Sequence, residues 1–158
     1  MDARSTPASA AISIRAAESG DRGAIAALLS ASKLVPLDET AQFGQQYAVA
    51  INGDGIVVGV AGYERYGSDI LLRSVAVSEP WRSTGIGARL TADRLAYAKA
   101  QGCEAAYLLT DTARDYWERQ GFSQIDRDAA PAAITRSHEW SAACPVSAIA
   151  MFRPLGQP

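Results

Sequence analysis

Residues 52–55, Asn-Gly-Asp-Gly, separate two apolar runs, YAVAI at 47–51 and IVVGVAGYERY at 56–66. Asn-Gly and Asp-Gly accept the positive φ that tight hairpin turns demand, so the two runs are predicted to pair as antiparallel strands. A second turn signal, YGSD at 66–69, precedes ILLRSVAV at 70–77 and extends the hairpin to a three-stranded meander. Such a meander in mid-chain leaves too little length for two mononucleotide-binding halves, which disfavours a doubly wound parallel sheet.

The flanks supply the other elements. ISIRAA at 12–17 reads as a short strand, followed by a helix capped near Asp21 with Ile25, Leu28 and Leu29 on one face. The polar stretch 34–46, interrupted by Pro36, reads as a loop and a candidate lid. After the meander, 88–102 is predicted as a helix with Leu90, Leu95 and Ala98 near one face and Gly102 as its stop. CEAAYLLT at 103–110 is a buried strand, 111–121 a helix begun by Asp111 or Thr112 and closed by Gly121, and FSQI at 122–125 a strand. That order makes a right-handed crossover whose two strands lie parallel. A helix from Pro131, a loop through Cys144 and Pro145, and a strand from Val146 to Phe152 complete the chain.

The composition excludes several function classes. At 158 residues the chain is one ordinary domain, and a net charge of −2 with 20% charged residues carries no polyanion signature, so nucleic acid is not an expected partner. Two cysteines and one histidine, His138, suit neither a disulfide framework nor a zinc site, and no metal is expected. The start has no apolar core of signal-peptide length and no run approaches a membrane span, which places the protein in the cytoplasm.

RSTGIG, Arg82 to Gly87, stands directly before the long helical pattern. A helix start presents unpaired N–H groups and about half a positive charge, and glycines there let a phosphate approach the backbone. A Walker loop needs Gly-Lys-Ser/Thr, which is absent. A dinucleotide fingerprint needs a third glycine at position 90, which is Leu90, although Asp111 could pose as its acid. The segment instead matches the Arg/Gln-x-x-Gly-x-Gly/Ala motif, and with ARDYWERQGF at 113–122 and the element order above it resembles the GNAT superfamily of acetyl-coenzyme A-dependent N-acetyltransferases.

That resemblance implies an α/β single domain over residues 11–155 behind a flexible segment 1–10, with a mixed sheet splayed between strands 4 and 5 and flanked by helices. It implies that acetyl-CoA is the co-substrate. The N–H groups of Ser83, Thr84, Gly85, Ile86, Gly87 and Ala88 would hold its pyrophosphate, helped by Arg82 and Arg89, with Thr112 and Trp117 further along the coenzyme. The backbone of Ser74, Val75, Ala76 and Val77 would pair with the pantetheine arm, one N–H near Ala76 or Val77 polarising the thioester carbonyl. Many members place a proton-donating tyrosine four residues before the Gly-Phe glycine. Trp117 occupies that position here and Tyr116 is its neighbour, so Tyr116 is the candidate acid and aromatic packing the alternative. Family members are often homodimers.

Glu64, on the strand beside the splay, is the candidate base through a water, or else a solvated strand carboxylate. An α-amine near pKa 8 costs under about 1 kcal/mol to deprotonate at neutral pH and a lysine-like amine about 4 to 5, so a weak base favours an α-amine. Arg73 suits a substrate carboxylate, or is an outward-facing strand arginine. Ser74 and Thr110 are candidate acceptor-binding residues, Thr110, Asp111 and Thr112 serving either to line the pocket or to cap the helix. GVAGYERYG with LLRSVAV, AYLLTDTA and EWSAACPVSAIAM resembles more narrowly the GNAT acetyltransferases of arsenic-resistance operons, which implies a small toxic amine as acceptor. A nucleophilic Cys144 with His138 and Glu139 is disfavoured, because all three crowd into one short segment.

Overall fold

The computed structural model describes residues 11–37, 46–143 and 147–156. In chain order the elements are β1 (Ser13–Ala16), α1 (Arg22–Ala31), β2 (Tyr47–Ile51), β3 (Val57–Tyr66), β4 (Asp69–Val77), α2 (Ile86–Ala100), β5 (Ala105–Thr110), α3 (Arg114–Arg119), β6 (Ser123–Ile125), α4 (Ala132–Thr135), a π turn (Glu139–Ala143) and β7 (Ile149–Pro154). Seven strands form one mixed sheet in the order β1-β2-β3-β4-β5-β7-β6. The N-terminal segment 1–10, most of the candidate lid and Cys144 lie outside the described residues. Among the described residues no helix is long and apolar enough to cross a membrane.

The chain divides into two compact units, one holding the described residues up to Gly62 with Ser74–Arg94, the other Tyr63–Arg73 with the described residues from Leu95 onward. In the first unit β2 pairs antiparallel with β1 and with β3, Ala48 opposite Ala61. The hairpin closes as its sequence foretells, but through a longer loop. Asn52 Oδ1 accepts the N–H groups of Asp54 (2.9 Å) and Ile56 (3.0 Å), and Gly55, at φ 80°, takes the left-handed conformation while Gly53 does not.

Alternation along β2 and β3, shifted by one residue at Val58 where Ala50 pairs with Gly59 but Ile51 with Val57, divides the side chains between two faces. Tyr47, Val49 and Val60 pack against Ile25, Leu28 and Leu29 of α1, and Ala48, Ala50, Val58 and Ala61 pack against Ile86 and Leu90 of α2. Each such leucine or isoleucine, removed from water, contributes on the order of 1.5 to 3 kcal/mol before entropy is counted.

Asp21 precedes α1 but does not cap it with its side chain. Its carboxylate turns back to the Glu18 N–H (2.7 Å) and the Arg15 guanidinium (2.8 and 3.1 Å). The Arg15 hydrogen bond, aided by the Glu18 N–H and opposed by burial, holds the Asp21 carboxyl below the ordinary aspartate range. A depressed folded-state pKa means the contribution is complete above the unfolded aspartate value near 4 and is lost as pH falls through the lower folded value. Asp21→Ala should therefore cost about 1 to 2 kcal/mol at neutral pH, and the gap to wild type should shrink below pH 4 in denaturant titrations.

In the second unit β4 and β5 run parallel, but their ladder joins only Asp69–Leu71 to Ala105–Tyr107, although β4 continues to Val77 and β5 to Thr110. β7 pairs antiparallel with β5 along Ala105–Thr110 and with β6 along Ser123–Ile125. β5 and β6 thus run parallel as the crossover requires, yet β7 lies between them. β7 itself starts later and ends later than its apolar pattern suggests. Leu71, Ala130, Ile134, Trp140 and Ala150 form this unit's core cluster.

Candidate active site

The loop at the head of α2 departs from ordinary backbone geometry. Ser83 (φ 65°) and Gly85 (φ 87°) are left-handed, with Thr84 at negative φ between them. A Cβ on Gly85 would meet nothing within 4 Å, so the space over its backbone is open. The first turn of α2 contains no acidic residue to offset the positive end of the helix. The Thr84 hydroxyl donates to the Trp81 carbonyl (2.5 Å), and Arg82 Nε donates to the Val77 carbonyl (2.9 Å), tying the loop to the end of β4. Arg82 also approaches Ser32 Oγ at 3.4 Å, and Arg89 approaches the Ile12 carbonyl at 3.5 Å. A cleft of about 490 Å³ opens beside this corner, lined by Ala27, Leu28 and Ala31 of α1 with Val57, Val77 and Arg82. Polar groups share the cleft wall with these apolar ones, since Ser78 and Glu79 line it as well.

β4 breaks its regular geometry at Ser74, whose φ is 62° in mid-strand. A non-glycine residue there costs on the order of 1 kcal/mol or more, which the surroundings must over-determine. Tyr47 does so. A Cβ on Gly62 would fall 2.4 Å from the Tyr47 ring, so only glycine lets that ring lie on β3, and from there the Tyr47 hydroxyl meets Ser74 Oγ at 3.1 Å. Beyond the break Ala76 is buried against the α1 core, while Val75 and Val77 pack on the α2 side.

In the second unit Arg73 and Glu64 are buried, 3% and 5% exposed, so Glu64 is not a solvated strand carboxylate and Arg73 does not face outward. Arg73 Nη1 donates to Glu64 Oε2 (2.5 Å) and the Tyr66 hydroxyl donates to Glu64 Oε1 (2.5 Å). Arg73 Nε also faces Glu139 Oε1 at 3.1 Å, a charge contact off the hydrogen-bonding axis. Glu139 and Tyr66 are the members of this cluster that sequence reasoning missed. Nothing local in SHEW marks Glu139 as a partner of a residue on β4. His138 is exposed while Glu139 is buried, so these neighbours do not face a common centre.

Thr110 ends β5 buried, and its Oγ1 accepts the Ala113 N–H (3.1 Å). Helix α3 therefore starts at Arg114, after Ala113, and neither Asp111 nor Thr112 opens it as the sequence suggests; both are exposed. Trp117, 8% exposed, meets Tyr116 edge-on at 4.9 Å between ring centroids and Phe122 at 5.6 Å. Gly121 closes the helix at φ 93°. Among the described residues no cluster of histidine, cysteine and carboxylates suits a metal ion.

Comparison with known proteins bears on the family and the fold. The model of the acetyltransferase (GNAT) domain matches residues 43–124. No curated protein matches the sequence. Among solved structures, N-acetylglutamate synthase from Neisseria gonorrhoeae, complexed with coenzyme A and N-acetyl-glutamate, superposes with a TM-score of 0.77 at 22% identity. That match covers 92% of this chain and 35% of the synthase, so the chain spans about a third of that protein's length. A Mycobacterium tuberculosis protein in complex with CoA and NLQ gives a TM-score of 0.76 at 23% identity over 90% of this chain and 99% of its own. An Arabidopsis thaliana protein in complex with the bisubstrate analogue CoA-Ac-MVNAL gives 0.69 at 16% identity, covering 90% and 98%. With its family model matched over more than half its length and a sheet and helix order that fit the fold, the chain belongs to the GNAT acetyltransferases, acyltransferases whose co-substrate is acetyl-CoA.

Proposed function

We propose that this chain moves the acetyl group of acetyl-CoA to the amine of a small, amino-acid-like molecule, and that residues 11–155 are its acetyltransferase domain. The observation that carries the reading is the open, left-handed loop at the head of α2, with Gly85 unobstructed and Arg82 and Arg89 beside it. The N–H groups from Ser83 to Ala88 hold the diphosphate. The backbone after the Ser74 break lines up the pantetheine arm, an N–H at Ala76 or Val77 stabilising the oxyanion as the amine nitrogen attacks the thioester carbon. Glu64, with Arg73 and the Tyr66 hydroxyl on its two oxygens, takes the amine's proton through water; Arg73 receives the acceptor's carboxylate, with Ser74 and Thr110 contributing to the acceptor site. Thr112 and Trp117 contact the coenzyme.

As the carbon–sulfur bond breaks, the thiolate takes a proton, which Tyr116 supplies. A thiol of pKa near 8.5 is a fair leaving group unaided. Tyr116→Phe should therefore lower kcat by no more than about 10²-fold, leaving the apparent KM for acetyl-CoA unchanged in steady-state assays.

The narrower resemblance supports a toxic, arsenical-like amine as the acceptor, in a cytoplasmic homodimer. Trp117 in place of the usual tyrosine favours a second reading, a coenzyme A-binding sensor without turnover. Thiol release from acetyl-CoA across a panel of amines, amino-acid analogues and short peptides among them, decides between the two. Amine-dependent release supports the transferase; tight binding of acetyl-CoA with no acceptor consumed leaves the sensor.

A further inference from the structure

The short stretch of β4 from Val75 to Val77 is held between two anchors. At its far end the Ser78 N–H donates to the Val58 carbonyl (2.8 Å), and the Val77 carbonyl accepts Arg82 Nε (2.9 Å). At its near end stands Ser74, 8% exposed, whose left-handed φ of 62° interrupts the strand. A serine reaches that conformation at a cost, because its Cβ crowds the carbonyl oxygen that follows, and extended backbone is the cheaper alternative in mid-strand. The Tyr47 hydroxyl, 3.1 Å from Ser74 Oγ, opposes that relaxation. Tyr47 is fully buried at the start of β2, opposite Gly62 of β3, and its ring fills the space that a side chain on Gly62 would need. The ring therefore reaches over β3 to β4, its place fixed by packing in the α1 core.

Returning Ser74 to extended backbone would rotate the peptide groups that follow it, whose side chains now place Ala76 against the α1 core and Val75 and Val77 on the α2 side. We propose that Tyr47 is a positioning residue for acyl transfer: by holding Ser74 left-handed, its hydroxyl aims the N–H of Ala76 or Val77 at the thioester carbonyl. A main-chain donor lowers the barrier only where it points at the charge that develops in the transition state, so a modest rotation is enough to lose the benefit. This rests on the reading that the backbone after Ser74 meets the pantetheine arm and the thioester.

The test uses the full chain and two readouts, amine-dependent thiol release from acetyl-CoA and the intraresidue amide-to-Hα cross-peak of residue 74, which is strong only at positive φ and needs no turnover. Tyr47→Phe should weaken the cross-peak and lower kcat and kcat/KM together by at least about tenfold, the pattern of a donor lost from the transition state. Ser74→Ala, which leaves Tyr47 whole, should do the same. Ser74→Gly lacks the hydroxyl too but takes positive φ freely, so it should be at least about fivefold more active than Ser74→Ala. Adding Tyr47→Phe to Ser74→Gly should change kcat by less than about twofold. An unweakened cross-peak or wild-type kcat in Tyr47→Phe overturns the inference, as does Ser74→Gly no more active than Ser74→Ala, or a Tyr47→Phe loss undiminished beside Ser74→Gly. If Tyr47→Phe does not fold, the comparison of Ser74→Gly with Ser74→Ala decides alone. Failure of the transferase reading shows separately, as the absence of amine-dependent thiol release from the wild type, while the cross-peak still reports the brace, so the two failures are distinguishable.

Discussion

Valine at both Gly85 and Gly87 should weaken acetyl-CoA binding by at least about 10²-fold, equivalent to roughly 3 kcal/mol. Gly85 stands at φ 87° with open space where a side chain would project, and that space is what a diphosphate needs to reach the N–H groups. A β-branched residue fills it and also disfavours the left-handed turn by about 1 to 2 kcal/mol, so part of any effect is strain on the fold. Gly67, in the turn after β3, separates the two contributions. It has φ 69° and nothing within 4 Å of a Cβ, so Gly67→Val imposes a similar strain on a turn that is not part of the anion corner. Calorimetric titration should show its coenzyme affinity unchanged while that of the double variant collapses. Parallel losses in the two would remove the diphosphate from this loop.

The second large effect belongs to Arg73. Its removal leaves Glu64 and Glu139 buried without their shared cation, and stranding a buried charge in this way costs about 3 to 5 kcal/mol. For a domain of ordinary stability that is a large fraction of the total. Arg73→Ala should show it in denaturant unfolding, and in the surviving folded fraction the apparent KM for the amine should rise while that for acetyl-CoA stays put. Arg73→Lys keeps the charge but loses the planar fork, so it should recover much of the stability and less of the amine affinity. A rise confined to acetyl-CoA would remove Arg73 from the acceptor site.

What was legible in the sequence was local. Asn52 and Gly55 sit three residues apart in one loop, Ile25, Leu28 and Leu29 on one helical face, and Arg82 to Gly87 in one turn, so pattern alone locates the hairpin, α1 and the head of α2. The insertion of β7 between β5 and β6 was not legible, because Ile149–Pro154 would read the same at an edge or inside the sheet. Helix α3 starts late because Thr110, read from sequence as lining the pocket or capping, holds the Ala113 N–H and lets the chain turn at 111–112. Arg73 was singled out for its chemistry, but its partnership with Glu139 joins residues far apart in the chain, and no spacing rule reports such a contact. The Ser74 break likewise depends on Tyr47 lying over Gly62, a fit of shapes that residue types alone do not specify.

The most direct test of the coenzyme assignment is a titration of the isotope-labelled protein with acetyl-CoA, followed through its backbone amide resonances. Saturable shifts largest at Ser83, Thr84, Gly85, Ile86, Gly87 and Ala88, reproduced by a bare nucleoside diphosphate, are the predicted result. Saturable binding that leaves those six amides unmoved while perturbing others would contradict it.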